Sequence, residues 1–137
     1  MTRRQAREWA VQLLFQHDFN PVKLEEALAE FWADKEPGGK ARAFTESLLR
    51  GVLAHREKID GLLQQYAENW DLRRMGAVDR NVLRMAVYEM LFCPDIPPIV
   101  SINEAIELAK SFSGGESGKF VNGILDRARK DLDGENG

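Results

Sequence analysis

Apolar residues recur three or four positions apart along most of this sequence, the spacing that places them on one face of an α-helix. The clearest repeat lies within residues 56–69 and consists of Ile59, Leu62, Leu63 and Tyr66. Nearly every other segment shows the same period rather than the strict alternation of half-buried β-strands. We therefore predict an all-α fold.

Helix-breaking and capping residues divide the chain into segments. Thr2 is the predicted N-cap of the first helix, and Asn20-Pro21 ends that helix and begins the second. Further breaks fall at Pro37-Gly38-Gly39, at Pro97-Pro98 and at Ser113-Gly114-Gly115. The predicted helices cover residues 2–18, 22–34, 40–54, 56–69, 77–92, 101–112 and 116–132, with a short turn capped by Asp71 over residues 71–75.

Two helices and the C-terminal tail carry more specific expectations. The helix over residues 77–92 is apolar on almost every side, which is typical of a buried central helix. Ser101-Ile102-Asn103-Glu104 matches a capping box, in which a hydroxyl and a carboxylate each satisfy a free backbone amide, and it predicts a helix start at that point. The polar residues after Leu132 predict a disordered tail.

Length and composition limit the class of protein. The 137 residues suit one domain, 1–137, that buries a core without disulfides or metal ions. Cys93 is the only cysteine, so no intrachain disulfide can form. No apolar run approaches the roughly 18 residues that span a membrane, and the N-terminus is amphipathic, unlike a signal peptide. We expect a cytoplasmic protein that does not bind a membrane.

The net charge of −3 argues against a protein that coats nucleic acid with its whole surface, because such binding needs many cations to neutralise phosphates. A nucleic-acid site must therefore be local. Arg3 and Arg7 lie one turn apart on the predicted first helix, with Arg4 beside them. Three guanidinium groups in one sector can bind phosphates in bidentate fashion. The alternative is an ordinary solvated helix face.

The last predicted helix offers a second local site. Its core face consists of Val121, Ile124, Leu125, Ala128 and Leu132. The flank beside that face holds Gly123 and the basic residues Lys119, Arg127 and Lys130. Phe120 lies at the boundary between core face and flank, where its ring can stack on an RNA base. The alternative is that Phe120 is a peripheral core residue.

Other kinds of site find little support. Residues 113–120 lack the first glycine and the final Ser or Thr of a phosphate-binding loop, and no β-strand precedes them. His17 and His55 lie on different helices, each without a second ligand at metal-binding spacing. Glu104 and Glu107 share a helix face, but the chain lacks the Glu-x-x-His spacing of a di-iron bundle. We predict no cofactor, no metal site and no enzymatic activity.

The first helix carries two apolar stripes, whereas a helix on the outside of a bundle needs only one. The first stripe consists of Ala6, Trp9, Ala10 and Leu13, and the second of Val11, Phe15 and Phe19. Either this helix packs on two sides, or the second stripe contacts a partner protein.

Four segments together carry the pattern of a known family. They are RRQARE at residues 3–8, VLRMAVYE at 82–89, INEAIELAK at 102–110 and KFVNGILD at 119–126. In this order the first resembles the arginine-rich opening of the NusB transcription antitermination family, and the others resemble its central, penultimate and last helices. The resemblance covers essentially the whole chain.

The resemblance implies a single domain of about seven helices in two packed sub-bundles. It further implies binding of boxA leader RNA together with a ribosomal small-subunit protein acting as NusE, and association with other Nus factors and RNA polymerase. The RNA contacts implied by position are Arg3, Arg4, Arg7, Glu116, Lys119 and Phe120, to which the basic flank adds Arg127. The implied partner contacts are Phe15, Asp79 and Arg80. Some family members are dimers, so a homodimer stays open.

Two other functions stay open beside this one. The same fold occurs as the RNA-binding domain of ribosomal RNA methyltransferases, although this chain holds no α/β segment for a methyl donor. A purely protein-binding helical adaptor, with solvated arginines, is the second. Binding of boxA RNA would separate it from the RNA-binding interpretation.

Overall fold

The computed structural model describes residues 2–21, 23–68 and 70–136, with side chains up to residue 133. This part of the chain forms seven α-helices and one short 3-10 helix, and no β-strand occurs in it. The α-helices are α1 (Arg3–Phe19), α2 (Leu24–Trp32), α3 (Gly39–Ala54), α4 (Arg56–Tyr66), α5 (Ala77–Phe92), α6 (Pro98–Ser113) and α7 (Gly115–Asn136). The 3-10 helix, Leu72–Arg74, lies between α4 and α5. The all-α prediction is confirmed.

Most predicted boundaries agree with the structure to within a few residues. The Thr2 hydroxyl caps α1 by accepting a hydrogen bond from the Gln5 amide at 3.2 Å. The Asp71 carboxylate caps the 3-10 helix by accepting from the Arg73 amide at 3.0 Å. Three predicted end points, Val22, Asn69 and Gly137, lie outside the described residues.

The predicted capping box at Ser101 is wrong, because α6 begins one turn earlier at Pro98. Pro97 and Pro98 occupy the N-cap and first helical positions, where proline's missing N–H costs nothing. Ser101 is therefore inside the helix, buried, and its hydroxyl donates to Glu89 at 2.9 Å. The Glu104 carboxylate binds Arg4 instead of a backbone amide.

Helix α7 also differs from the expectation, since it runs to Asn136 and takes in most of the tail for which disorder was predicted. Two ion pairs, each between residues one turn apart, stabilise its last turns. Lys130 Nζ lies 3.0 Å from Asp126, and Arg129 Nε lies 3.8 Å from Asp133. Such pairs add a few tenths of a kcal/mol each to an exposed helix.

Two hydrophobic clusters form the interior. The larger one surrounds α5 and draws on α4, α6 and α7. The smaller one lies between α1, α2 and α3 and consists of Trp9, Leu13, Leu14, Leu28, Phe31, Trp32, Leu49 and Val52. Helix α1 belongs to both clusters, because Ala10 and Val11 pack into the larger one. The first helix thus packs on two sides, and Phe15 and Phe19 lie outside both clusters.

The contact between α3 and α5 depends on a glycine. A Cβ atom placed on Gly51 would lie 2.1 Å from the ring atom Cζ of Tyr88. A side chain at residue 51 would require the Tyr88 ring to move, so the observed packing of this ring depends on the missing Cβ.

A buried polar network ties the C-terminal end of α1 to α4 and α5. The Asp18 carboxylate accepts from Asn81 at 2.9 Å, from Arg84 at 3.1 Å and from Arg80 at 3.2 Å. Arg84 also donates to both oxygens of Asp60, at 2.8 and 2.9 Å. Burial alone would raise the pKa of the Asp18 carboxyl, but the hydrogen bonds from Asn81 and Arg80 and the charge of Arg84 lower it.

Candidate nucleic-acid interface

The N-terminal turn of α1 presents two exposed arginines. Arg4 donates to Glu104 of α6 through two parallel hydrogen bonds, at 2.9 and 3.0 Å. Hydrogen bonding to Arg4 lowers the pKa of the Glu104 carboxyl, against the effect of partial burial. Arg3 lies 4.6 Å from the ring centre of Phe44 and 3.9 Å from Asp95. Both guanidinium groups remain open to water and to a phosphate.

Arg7 does not belong to this exposed pair, and the prediction of three projecting guanidinium groups is wrong. The residue is 2% exposed, and its guanidinium donates to Glu89 at 2.9 and 2.7 Å. Ser101 completes the site by donating to the same carboxylate. The reason is that this face of α1 packs against α5, which supplies Glu89, and against α3, whose Phe44 ring centre lies 5.4 Å from the Arg7 guanidinium. Arg7 therefore joins three helices beneath the exposed arginines.

A row of charged side chains leads from this turn across α6 to α7. Lys110 Nζ lies 3.5 Å from Glu107 Oε1, one turn from Glu104 on the same helix. The aliphatic part of the Lys110 side chain packs against Gly118. A Cβ atom added to Gly118 would lie 2.7 Å from Lys110 Cγ. This close contact places Lys110 beside the start of α7. Lys110 was not predicted as a site residue, and its three-residue spacing from Glu107 is the only sequence signal for it.

On α7, the Lys119 ammonium group and the Phe120 ring lie where the sequence predicted them. Phe120 is half-buried and packs against the larger cluster, which confirms that it lies at the edge of the core. Lys119 and Glu116 are strongly exposed, and Lys119 Nζ lies 3.8 Å from Glu116 Oε1. The ring and the ammonium group thus both lie at the start of α7.

The Arg127 side chain is held mainly by contacts within the fold. Its Nη1 donates to the backbone carbonyl of Tyr66 at 2.7 Å, and its Nε lies 4.0 Å from Glu68 Oε1. The side chain is about half exposed, so one edge of the guanidinium still faces water. Arg127 therefore holds the end of α4 against α7 and adds positive charge beside Phe120.

Trp70 is an aromatic residue at this face that was not predicted. Its ring is 60% exposed and packs edge-to-face on Phe120, with ring centres 5.4 Å apart. It follows α4 in a connecting segment, outside every predicted amphipathic stripe. A tryptophan in a short polar connection was the one sequence signal that could have drawn attention to it.

The predicted partner residues lie at the other end of α1. Phe15 is half-buried, and its ring centre lies 4.7 Å from that of Phe19, which is 71% exposed. Between Arg3 and Phe19, α1 spans about 24 Å at 1.5 Å per residue. The exposed phenylalanines and the exposed arginines are therefore well separated.

Asp79 and Arg80, also predicted as partner contacts, face partly inward. Arg80 donates to the carbonyls of Leu72 and Met75 at 3.5 and 3.3 Å. These hydrogen bonds hold the 3-10 helix against α5. Asp79 Oδ2 accepts from Ser117 at 3.2 Å, while Oδ1 is buried without a hydrogen-bond partner among the described residues. Burial raises the pKa of the Asp79 carboxyl, and the Ser117 hydrogen bond offsets this in part.

Neither a cluster of metal ligands nor a membrane-spanning helix occurs among the described residues. No group of three or more His, Cys, Asp or Glu side chains in them is placed to hold a metal ion. His55 stacks on Phe92 with ring centres 4.1 Å apart. None of the described helices is both long and apolar enough to cross a membrane.

Known proteins resemble this chain in sequence over nearly its full length. Residues 4–130 match the model described as the NusB family. A curated relative from Desulfotalea psychrophila, Transcription antitermination protein NusB, is 46% identical over 133 residues. The aligned part covers 93% of this chain and 94% of the relative.

Solved structures resemble it in fold. T. maritima NusB superposes with a TM-score of 0.87 at 46% identity, covering 95% of this chain and 92% of that one. A chain from the crystal structure of antitermination factors NusB and NusE in complex with dsRNA superposes with a TM-score of 0.85 at 28% identity. That match covers 96% of this chain and 99% of the other.

Proposed function

Because the chain belongs to the NusB family, we propose that it is a transcription antitermination factor that binds boxA leader RNA together with the ribosomal small-subunit protein NusE. The observation that carries this proposal is the presence of exposed cations at the starts of α1 and α7, the latter next to a half-buried ring, on a chain of net charge −3. A structural relative has been solved as NusB and NusE with dsRNA, which supports the same pair of partners here.

The RNA site extends over the N-terminal turn of α1 and the start of α7. Arg3, Arg4 and Lys119 neutralise phosphates, since their side chains are more than half exposed. Phe120 stacks on an unpaired base. Glu116, a carboxylate beside Lys119, contacts RNA only through a base amino group or ribose hydroxyl, because it repels phosphate.

The partner site lies at the other end of α1. Phe15 and Phe19 provide an exposed aromatic pair, and NusE covers it. Asp79 and Arg80 lie at the start of α5. Because each makes hydrogen bonds within the chain, they stabilise this site as well as contact NusE. The aromatic pair thus lies at the opposite end of α1 from Arg3 and Arg4. Asp79, in contrast, accepts a hydrogen bond from Ser117 at the start of α7 and adjoins the RNA site.

The role that follows is one of assembly without catalysis. The chain, NusE and boxA RNA form a complex that associates with other Nus factors and RNA polymerase in the cytoplasm, notably on ribosomal RNA operons. Either one copy or a homodimer can present the RNA face. The sites combine ion pairs and rings, which suits binding and not bond cleavage.

The test is a titration of fluorescently labelled boxA RNA, followed by anisotropy, with and without NusE. We expect tighter binding to boxA than to a scrambled RNA of equal length, and a further gain when NusE is present. Lys119→Ala should weaken binding, whereas Lys58→Ala, at an exposed lysine of α4 that is not a proposed RNA contact, should not. Equal affinity for both RNAs, unaffected by NusE, would contradict the proposal.

A further inference from the structure

The exposure of Trp70 calls for an explanation. The chain has three tryptophans, and two of them, Trp9 and Trp32, are only 9% and 5% exposed in the smaller cluster. Trp70 is 60% exposed. A tryptophan ring left in water forgoes a large hydrophobic gain, and tryptophan is enriched at binding interfaces.

The segment that carries this ring is held on both sides. The Gln64 side chain donates to the Trp70 carbonyl at 2.6 Å and accepts from the Leu72 amide at 2.9 Å. Leu72 itself is buried in the larger cluster. Arg127 holds the chain just before, at the Tyr66 carbonyl. The backbone beneath the ring is therefore ordered before any ligand binds, which lowers the entropic cost of binding.

The surroundings of the two rings combine flat apolar surface with exposed cations that can contact a phosphate. Phe120 meets Trp70 edge-to-face at 75°, and Gly123, one turn along α7, leaves open space beside Phe120. Arg73 is 90% exposed and lines the same depression as Trp70. With Lys119 and Arg127, cations border the ring pair on two elements. Three carboxylates line this depression as well, and each is paired with an arginine: Asp60 with Arg84, Glu68 with Arg127 and Asp71 with Arg73.

We propose that Trp70 is a second base-stacking residue, which takes the unpaired nucleobase adjacent to the one on Phe120. This inference rests on the proposed RNA-binding function. Since the rings are nearly perpendicular, two neighbouring bases cannot continue one stack across them. The RNA must turn between these bases, with its phosphates toward Arg73 and Lys119. Unpaired bases splayed onto aromatic rings are the usual basis of sequence-specific RNA recognition.

The first test compares RNA affinities of three proteins: the unchanged chain, Trp70→Leu and Trp70→Phe. We expect Trp70→Leu to bind boxA RNA roughly 5- to 150-fold more weakly, the loss typical of one base–aromatic stack. Trp70→Phe keeps a ring and should recover most of the affinity. Thermal melting of all three controls for folding, and affinities are compared only for the folded fraction.

The second test separates stacking on Trp70 from mere support of Phe120. Each adenine of the RNA is replaced in turn by 2-aminopurine, whose fluorescence falls when it stacks. Trp70→Leu should abolish the fall at one nucleotide and Phe120→Leu at its neighbour. If both variants affect the same nucleotide, Trp70 only supports Phe120 and the proposal is overturned.

The remaining outcomes are also decisive. Normal RNA affinity of Trp70→Leu would overturn this proposal alone. If that variant instead loses capture of NusE with unchanged RNA binding, the ring belongs to a protein interface, which also overturns it. Failure of the unchanged chain to bind boxA RNA would overturn the proposed function and this inference together.

Discussion

Arg4 and Arg7 lie one turn apart on α1, and each makes a bidentate ion pair with a glutamate of another helix, yet their surroundings are opposite. The Arg4 side chain is 56% exposed, whereas that of Arg7 is 3% exposed. Exposed pairs are worth about 0–1 kcal/mol, and Arg4 can exchange Glu104 for a phosphate at little cost. Arg7 cannot leave Glu89 without exposing the interior. Burial, more than residue type or spacing, thus separates a binding residue from a structural one.

The largest expected effect follows from breaking the buried pair. Arg7→Ala leaves the Glu89 carboxylate without its cation in the interior, and removal of one partner of a buried pair costs about 3–5 kcal/mol. The free energy of unfolding, measured with urea, should fall by this amount. Arg4→Ala is the matched control and should change it by less than about 0.5 kcal/mol.

A double variant checks the cause of that loss. Arg7→Met combined with Glu89→Leu removes both charges and fills similar volume, and such exchanges are often neutral or stabilising. The double variant should recover most of the stability lost in Arg7→Ala. If it is as unstable as the single variant, the ion pair is not the source of the effect.

The next effect concerns RNA binding by the exposed arginines. The double variant Arg3→Ala with Arg4→Ala removes two phosphate contacts. The slope of log affinity for boxA RNA against log salt should become less steep by about 1.4, at roughly 0.7 per contact for single strands. An unchanged slope in a folded protein would exclude phosphate contacts by these arginines.

A smaller effect in the opposite direction is expected from the carboxylate that competes for Arg4. Glu104→Gln removes a negative charge that binds the Arg4 guanidinium at 2.9 Å. The variant should bind RNA more tightly at low salt, by a few-fold, and the gain should shrink as salt screens the charges. Weaker binding would show that Glu104 positions Arg4 for RNA instead of competing with it.

The smallest effect is a pH dependence of stability. The pKa of Glu104 is lowered chiefly by the hydrogen bond from Arg4. The pair therefore stabilises the fold above the ordinary glutamate pKa of 4.5, and this contribution is lost as the pH falls through the lowered value. Melting temperatures of the unchanged chain and of Arg4→Ala should differ slightly near neutral pH and converge in acid. A difference that grows in acid would contradict this assignment.

Much of the fold could be predicted because local patterns determine it. Helix α5 was predicted with its observed ends, Ala77 and Phe92, since an all-round apolar segment between glycine and proline allows few other interpretations. The start of α6 could not be predicted, because two local signals compete there. Pro97-Pro98 and Ser101 can each begin a helix, and a long-range partner, Glu89, engages the Ser101 hydroxyl.

The site was harder to predict for the same physical reason. A helical wheel placed Arg7 beside Arg3 and Arg4, but it carries no information about which helices cross that side. Phe120 was placed well, since its position follows from the core face of its own helix. Trp70 belongs to no helix, so only the tertiary fold brings it to Phe120.

Because α1 belongs to both hydrophobic clusters, it couples their unfolding. Detaching α1 removes Ala10 and Val11 from one interior and Trp9, Leu13 and Leu14 from the other. Neither half can therefore open alone at low free energy, and the chain behaves as one cooperative unit. Native-state hydrogen exchange should find the central amides of α1 among the slowest, and limited proteolysis should yield no stable half.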